Sequence, residues 1–124
     1  MDDTSGNRQV QPTQMGRPSD RRRGARYKIE AGMVARSAGN RSRVIRGRIV
    51  DLSQGGVSAV IAAELAMGEV FEIEFGLPYA SQPVRIEAAI CNREGYRYGL
   101  EFVHVIASQQ DMINRTCVTL ALLR

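Results

Sequence analysis

From Tyr27 onward, apolar and polar residues alternate with period two in six runs, separated by turn residues. Period two is the spacing of half-buried strands, whose successive side chains point to opposite faces. The first run sets Tyr27, Ile29, Ala31 and Met33 against Lys28 and Glu30, and Ser37-Ala38-Gly39-Asn40 reads as a hairpin turn. A second strand over 42–52 alternates Ile45, Gly47 and Ile49 with Arg46, Arg48 and Val50. Residues 51–56 form a tight turn into a short third strand, 57–61. Residues 62–68 connect onward as one helical turn ended by Gly68. The fourth strand, 70–75, turns Phe71, Ile73 and Phe75 inward, and Gly76-Leu77-Pro78 breaks it. The fifth, 84–92, shares Val84, Ile86, Ala88 and Ile90 on one face, before a turn at Arg93-Glu94-Gly95. The sixth, 96–103, does so with Tyr96, Tyr98, Leu100 and Phe102.

The end of the chain changes period. Ser108 is placed to cap a helix whose apolar face is Met112, Ile113, Cys117, Leu120 and Leu123. Six antiparallel strands followed by one helix predict a mainly all-β fold. The expected form is a six-stranded antiparallel β-barrel with a C-terminal α-helix over one open end. There is no internal repeat.

With 124 residues, the chain has room for one domain and one modest core. Residues 1–19 are rich in Gln, Ser, Gly, Pro, Asp and Thr, and are expected to be a disordered tail. Residues 20–124 form the domain, with 20–26 as a charged arm leading into it. No apolar run approaches the roughly 20 residues of a membrane span. The acidic, polar start lacks a secretory core, which predicts a cytoplasmic protein. Cys91 and Cys117 sit in apolar patterns and are expected to be buried thiols rather than a disulfide or metal site. The single His104 reads as a structural or surface residue. One His and no nucleophile motif give enzymatic chemistry little to stand on.

Charge is unevenly distributed. Residues 21–48 carry 10 of the 17 basic residues and a single acid, Glu30, which points to an anionic partner. Four arginines stand within six residues: Arg21, Arg22, Arg23 and Arg26. A second segment, Asp51-Leu52-Ser53-Gln54-Gly55-Gly56, combines an acid, a hydroxyl and two glycines in one turn. Guanidinium forks suit phosphate oxygens and the O6/N7 edge of guanine, and a carboxylate suits guanine's N1 and N2 donors. Gly55 and Gly56 allow positive φ and leave no Cβ against a base. In an antiparallel hairpin the start of the first strand lies beside the end of the second, so the two segments should meet.

Each half alone has a plainer reading. The Asp-x-Ser-x-Gly-Gly stretch is a common way to build a turn, and an arginine-rich arm often binds polyanions without specificity. Taken together, Arg22-Arg23-Gly24-Ala25-Arg26 and Asp51-Leu52-Ser53-Gln54-Gly55-Gly56 resemble the PilZ domain family of bacterial cyclic di-GMP receptors. Tyr98-Gly99-Leu100-Glu101-Phe102 is similar to that family's Gly-x-x-Phe strand. The resemblance implies that Arg22 and Arg26 hold guanine and phosphate while Asp51, Ser53 and Gly56 form the opposing wall, with Gly55 beside it. Arg21 and Arg23 flank the motif as further candidates. It implies a non-enzymatic sensor without a cofactor, whose ligand is cyclic di-GMP and whose output is a downstream protein contact, in motility or biofilm regulation. Two rivals remain at this point: a ligand-independent PilZ-like adaptor, and a nucleic-acid-binding β-barrel. The second is weaker, because Tyr27, Tyr79, Tyr96 and Tyr98 do not cluster on one basic strand.

Overall fold

The structure, a computed structural model, describes residues 25–40 and 42–123. Six strands and one helix follow in order: β1 (Tyr27–Ser37), β2 (Val44–Ser53), β3 (Gly56–Val60), β4 (Val70–Gly76), β5 (Pro83–Glu94), β6 (Arg97–Val103) and α1 (Ala107–Leu122). Every pairing is antiparallel. The strands close into a barrel in the order β1-β2-β3-β6-β5-β4, with β4 returning to β1. Closure leaves no outer strand edge open, which protects so small a sheet from pairing edge to edge with another chain.

The inward faces follow the alternation. Ile49, Leu52, Phe71, Ile73, Phe75 and Tyr98 are at most 2% exposed and fill the barrel. Tyr98 places its hydroxyl inside as well. It donates to the Ala63 carbonyl at 2.7 Å and accepts the Leu65 N–H at 3.1 Å, so neither hydroxyl role is left unmet. That pair of bonds also ties down the connection between β3 and β4. This connection is not a helical turn, as expected, but an irregular segment ending at Gly68, whose φ of 81° makes a left-handed turn. Arg93 reaches the same segment through Glu64, with Nη1 and Nη2 at 2.7 and 3.1 Å from its carboxylate oxygens.

Three further expectations are corrected. Tyr96 is 50% exposed, because Gly95 (φ 63°) and Tyr96 themselves form the two-residue turn that pairs Glu94 with Arg97. The helix begins earlier than a cap at Ser108 would allow. Its N-cap is Ile106, whose N–H is accepted by the Gln109 side chain at 3.3 Å. Leu123 is 67% exposed, since the helix ends at Leu122 and only Ile113, Thr116 and Cys117 are fully buried along it.

The helix lies over the barrel end made by the start of β1, the β2–β3 turn and the start of β5. Gln110 donates to the Gln54 carbonyl at 3.1 Å, and Gln109 donates to the Arg85 carbonyl at 2.6 Å. The β2–β3 turn is thereby held from two sides, because the Gly55 carbonyl also accepts the Phe102 N–H at 2.8 Å.

At Gly56 a Cβ would collide with the Leu100 carbonyl oxygen, which is backbone and cannot swing aside. Gly56→Ala should therefore destabilise the fold by roughly 1–3 kcal/mol in urea denaturation. Gly32→Ala is the control, since no other group lies within 4 Å of where its Cβ would stand. It should be neutral or gain up to about 1 kcal/mol.

Candidate functional site

A bulge decides where Asp51 points. Between Ile49 and Asp51 the β2–β3 register slips, so that Ile49 faces Ala59 and Asp51 faces Ser58. One extra residue lets Ile49 and Leu52 both face inward and sends Asp51 to the outer surface. Asp51 also lies opposite Lys28 of β1, and Ser58 lies opposite Gly99 of β6, which faces Asn92 of β5. The result is one cross-strand row on the outer wall: Lys28, Asp51, Ser58, Gly99 and Asn92. A Cβ at Gly99 would sit 2.6–2.8 Å from the Asn92 side-chain head, so glycine is what lets that amide lie flat on the wall.

Asp51 is 7% exposed, yet both its oxygens are engaged. Oδ1 accepts from Arg26 Nη1 at 2.9 Å, and Oδ2 accepts from Arg97 Nη2 at 3.0 Å. Arg26 Nη1 also donates to Ser58 Oγ at 3.2 Å. The two guanidiniums are about half-exposed, so each pair contributes roughly 0–1 kcal/mol to stability and is easily rearranged. A groove of about 440 Å³ opens beside them, lined by Lys28, Ile29, Glu30, Val50, Asp51 and Arg97. Its lining combines the apolar Ile29 and Val50 with the charged Lys28, Glu30, Asp51 and Arg97, a mixture suited to a small-ligand site.

The structure thus brings Arg26 and Asp51 together, as the hairpin argument requires. Arg21, Arg22 and Arg23 lie outside the described residues. Ser53 and Gly56 take the turn-building role: Ser53 Oγ donates to the Gly56 carbonyl at 3.3 Å, and Ser53 is 4% exposed. The positive-φ expectation for Gly55 and Gly56 is corrected. Among the described glycines, positive φ is found at Gly68 and Gly95. Gly56 is required instead by its close approach to β6. Arg97 and Ser58 are the residues that sequence reasoning passed over. Arg97 stands 46 positions from Asp51, and only the β3–β6 pairing brings it across. Its one sequence signal is a cation among the apolar residues of the sixth run.

His104 is a surface residue, with Nδ1 2.7 Å from Glu87 Oε1. The expectation of two buried thiols holds for Cys117 and fails for Cys91. Cys91 follows the inward Ile90 in the alternation and so faces outward, and the bulge between Ile90 and Asn92 keeps Asn92 on the outer face as well. Its thiol is nevertheless partly sheltered. Desolvation pushes its pKa up, the Glu101 carboxylate adds to the rise, and Arg26 opposes it. Burial raises the Cys117 thiol too.

The sequence model of the PilZ domain family matches residues 20–118, so the chain belongs to the PilZ family. No curated protein gives a significant match. Among solved structures, the fold is similar to the PilZ domain of YcgR from Escherichia coli with c-di-GMP. That likeness has a TM-score of 0.64 at 23% identity, over 82% of this chain and 92% of that one. It is also similar to the Bacillus subtilis inhibitor of motility, MotI/DgrA, with a TM-score of 0.70 at 18% identity, covering 86% of this chain and 54% of that one. MrkH from K. pneumonia in its apo state gives 0.66 at 17%, covering 86% and 53%. The chain therefore spans about half the length of the last two, and at these identities the likeness concerns the fold.

Native protein should present one thiol to DTNB, Cys91, and a second only in denaturant, when Cys117 is exposed. Because the Cys91 pKa lies above the ordinary thiol value, its reaction at pH 8 should be slower than that of a model thiol. The rate should keep rising at a pH where that of an ordinary thiol has already levelled off. Two fast thiols in the native protein would contradict the burial of Cys117.

Proposed function

We propose that this chain is a cytoplasmic receptor domain for cyclic di-GMP that acts without catalysis and without a cofactor. Membership of the PilZ family and a neighbour solved with c-di-GMP support the ligand. The observation that carries the reading is the meeting of Arg26 and Asp51 at 2.9 Å, beside an open groove on the outer wall. A dianionic ligand with two guanine bases needs cations that fork and a floor that is apolar. Asp51 supplies the orientation. It holds Arg26 by one Nη and leaves the remaining N–H groups for a phosphate or for guanine O6/N7.

In this reading the barrel is a fixed half-site and the arm bearing Arg22 is the other half. Binding closes the arm over the ligand, and arginine contacts to phosphate and guanine offset the cost of ordering it. Closure alters the surface at this end of the barrel, and a partner protein reads that surface. Ser53, Gly55 and Gly56 contribute by fixing the β2–β3 turn that follows Asp51.

Calorimetric titration with cyclic di-GMP tests the proposal, with GTP as the control nucleotide. The wild type should bind saturably and GTP should not. Arg22→Ala and Arg26→Ala should each weaken binding by roughly 1–3 kcal/mol. Asp51→Ala should weaken it in the same direction while the melting temperature changes little. Absence of heat with the wild type, or equal affinity in all three variants, would refute this function.

A further inference from the structure

We infer that Arg97 is a third ligand-binding guanidinium, supplied by β6 from outside both sequence motifs; this rests on the receptor reading above. Arg97 is opposite Val60 of β3, yet its side chain crosses that strand to reach Asp51 of β2. A long side chain that spans a neighbouring strand gives up rotamer freedom, and an exposed ion pair returns little stability for it. Stability alone is a poor reason for the arrangement. What it achieves is placement: Arg97 and Asp51 both line the groove, and Arg26 reaches the same carboxylate from the arm side.

Asp51 therefore spreads two guanidiniums from opposite directions, one on each oxygen. Arg97 uses Nη2 on Asp51, and its side chain is 55% exposed. Guanidiniums fixed on two sides match a compact ligand with two phosphates better than one guanidinium does. The surrounding charge agrees. Lys28, Arg26, Arg97 and Arg48 stand against Asp51 and Glu30, and Glu30 is itself 3.4 Å from Arg48. Ile29 and Val50 add apolar surface to the same lining.

A rival role for the same contact is a latch, in which Arg97 blocks the Asp51 oxygen that guanine would use. The two roles predict opposite signs. Loss of a ligand cation removes an attraction and bares the Asp51 charge to an incoming dianion, so affinity falls. Loss of a latch frees an acceptor, so affinity rises.

The test is calorimetric titration of the full chain with cyclic di-GMP, comparing wild type, Arg97→Ala and Arg97→Lys, with ligand-free melting curves for all three. Arg97→Ala should weaken binding roughly tenfold or more. Arg97→Lys should recover only part of the loss, because ammonium restores charge without the fork. Ligand-free melting temperatures should stay together. Unchanged or tighter binding by Arg97→Ala, with the wild type binding normally, overturns the Arg97 assignment and leaves the receptor reading standing. So does a loss of affinity that tracks a fall in melting temperature and is fully restored by Arg97→Lys. A wild type that does not bind overturns both.

Discussion

Ile49 and Leu52 stand three apart and both point into the barrel, which a regular strand does not permit. The slip that makes this happen turns Asp51 outward. Had β2 run regularly past Ile49, Asp51 would have shared the inward face and buried a carboxylate among Leu and Ile side chains, at a prohibitive cost. The site depends on that one irregularity. Arg26 and Arg97 gather on Asp51, and the groove beside it exists because the carboxylate lies on the outer wall.

The barrel around this point is rigid for identifiable reasons. Six strands are closed on themselves, and the β2–β3 turn is gripped by β6 through Gly55 and by the helix through Gln54. Gly56 allows that grip because its backbone lies against Leu100. Arg26 and Arg97 are held on that wall by weak ion pairs to Asp51, which can be exchanged for other contacts at small cost.

Much of this architecture was legible in the sequence. Period two located all six strands to within a few residues, because inward positions such as Phe71, Ile73 and Phe75 leave a plain alternation. The Arg26–Asp51 encounter was legible too, as a consequence of hairpin geometry. The failures have separate causes. Cys91 was expected inside because its neighbours are apolar, although the alternation that turns Ile90 inward already sets Cys91 outward. Tyr96 fits the alternation but belongs to the turn that Gly95 starts. The helix cap at Ile106 uses a Gln side chain from the first turn, where Ser is the residue that capping preferences favour. Arg97 needed the β3–β6 pairing, a contact between distant runs that no single-strand pattern encodes.

The central claim is that ligand binds on the outer wall around Asp51. Amide chemical-shift mapping during titration with cyclic di-GMP addresses it directly in a 13.7 kDa protein. The largest shifts are predicted along the cross-strand row, at Lys28, Asp51, Ser58 and Gly99, and at Arg97 beside it. β4 and the C-terminal half of the helix should move little. Shifts concentrated on the helix and the β4–β5 loop, with the Asp51 row unmoved, would contradict it.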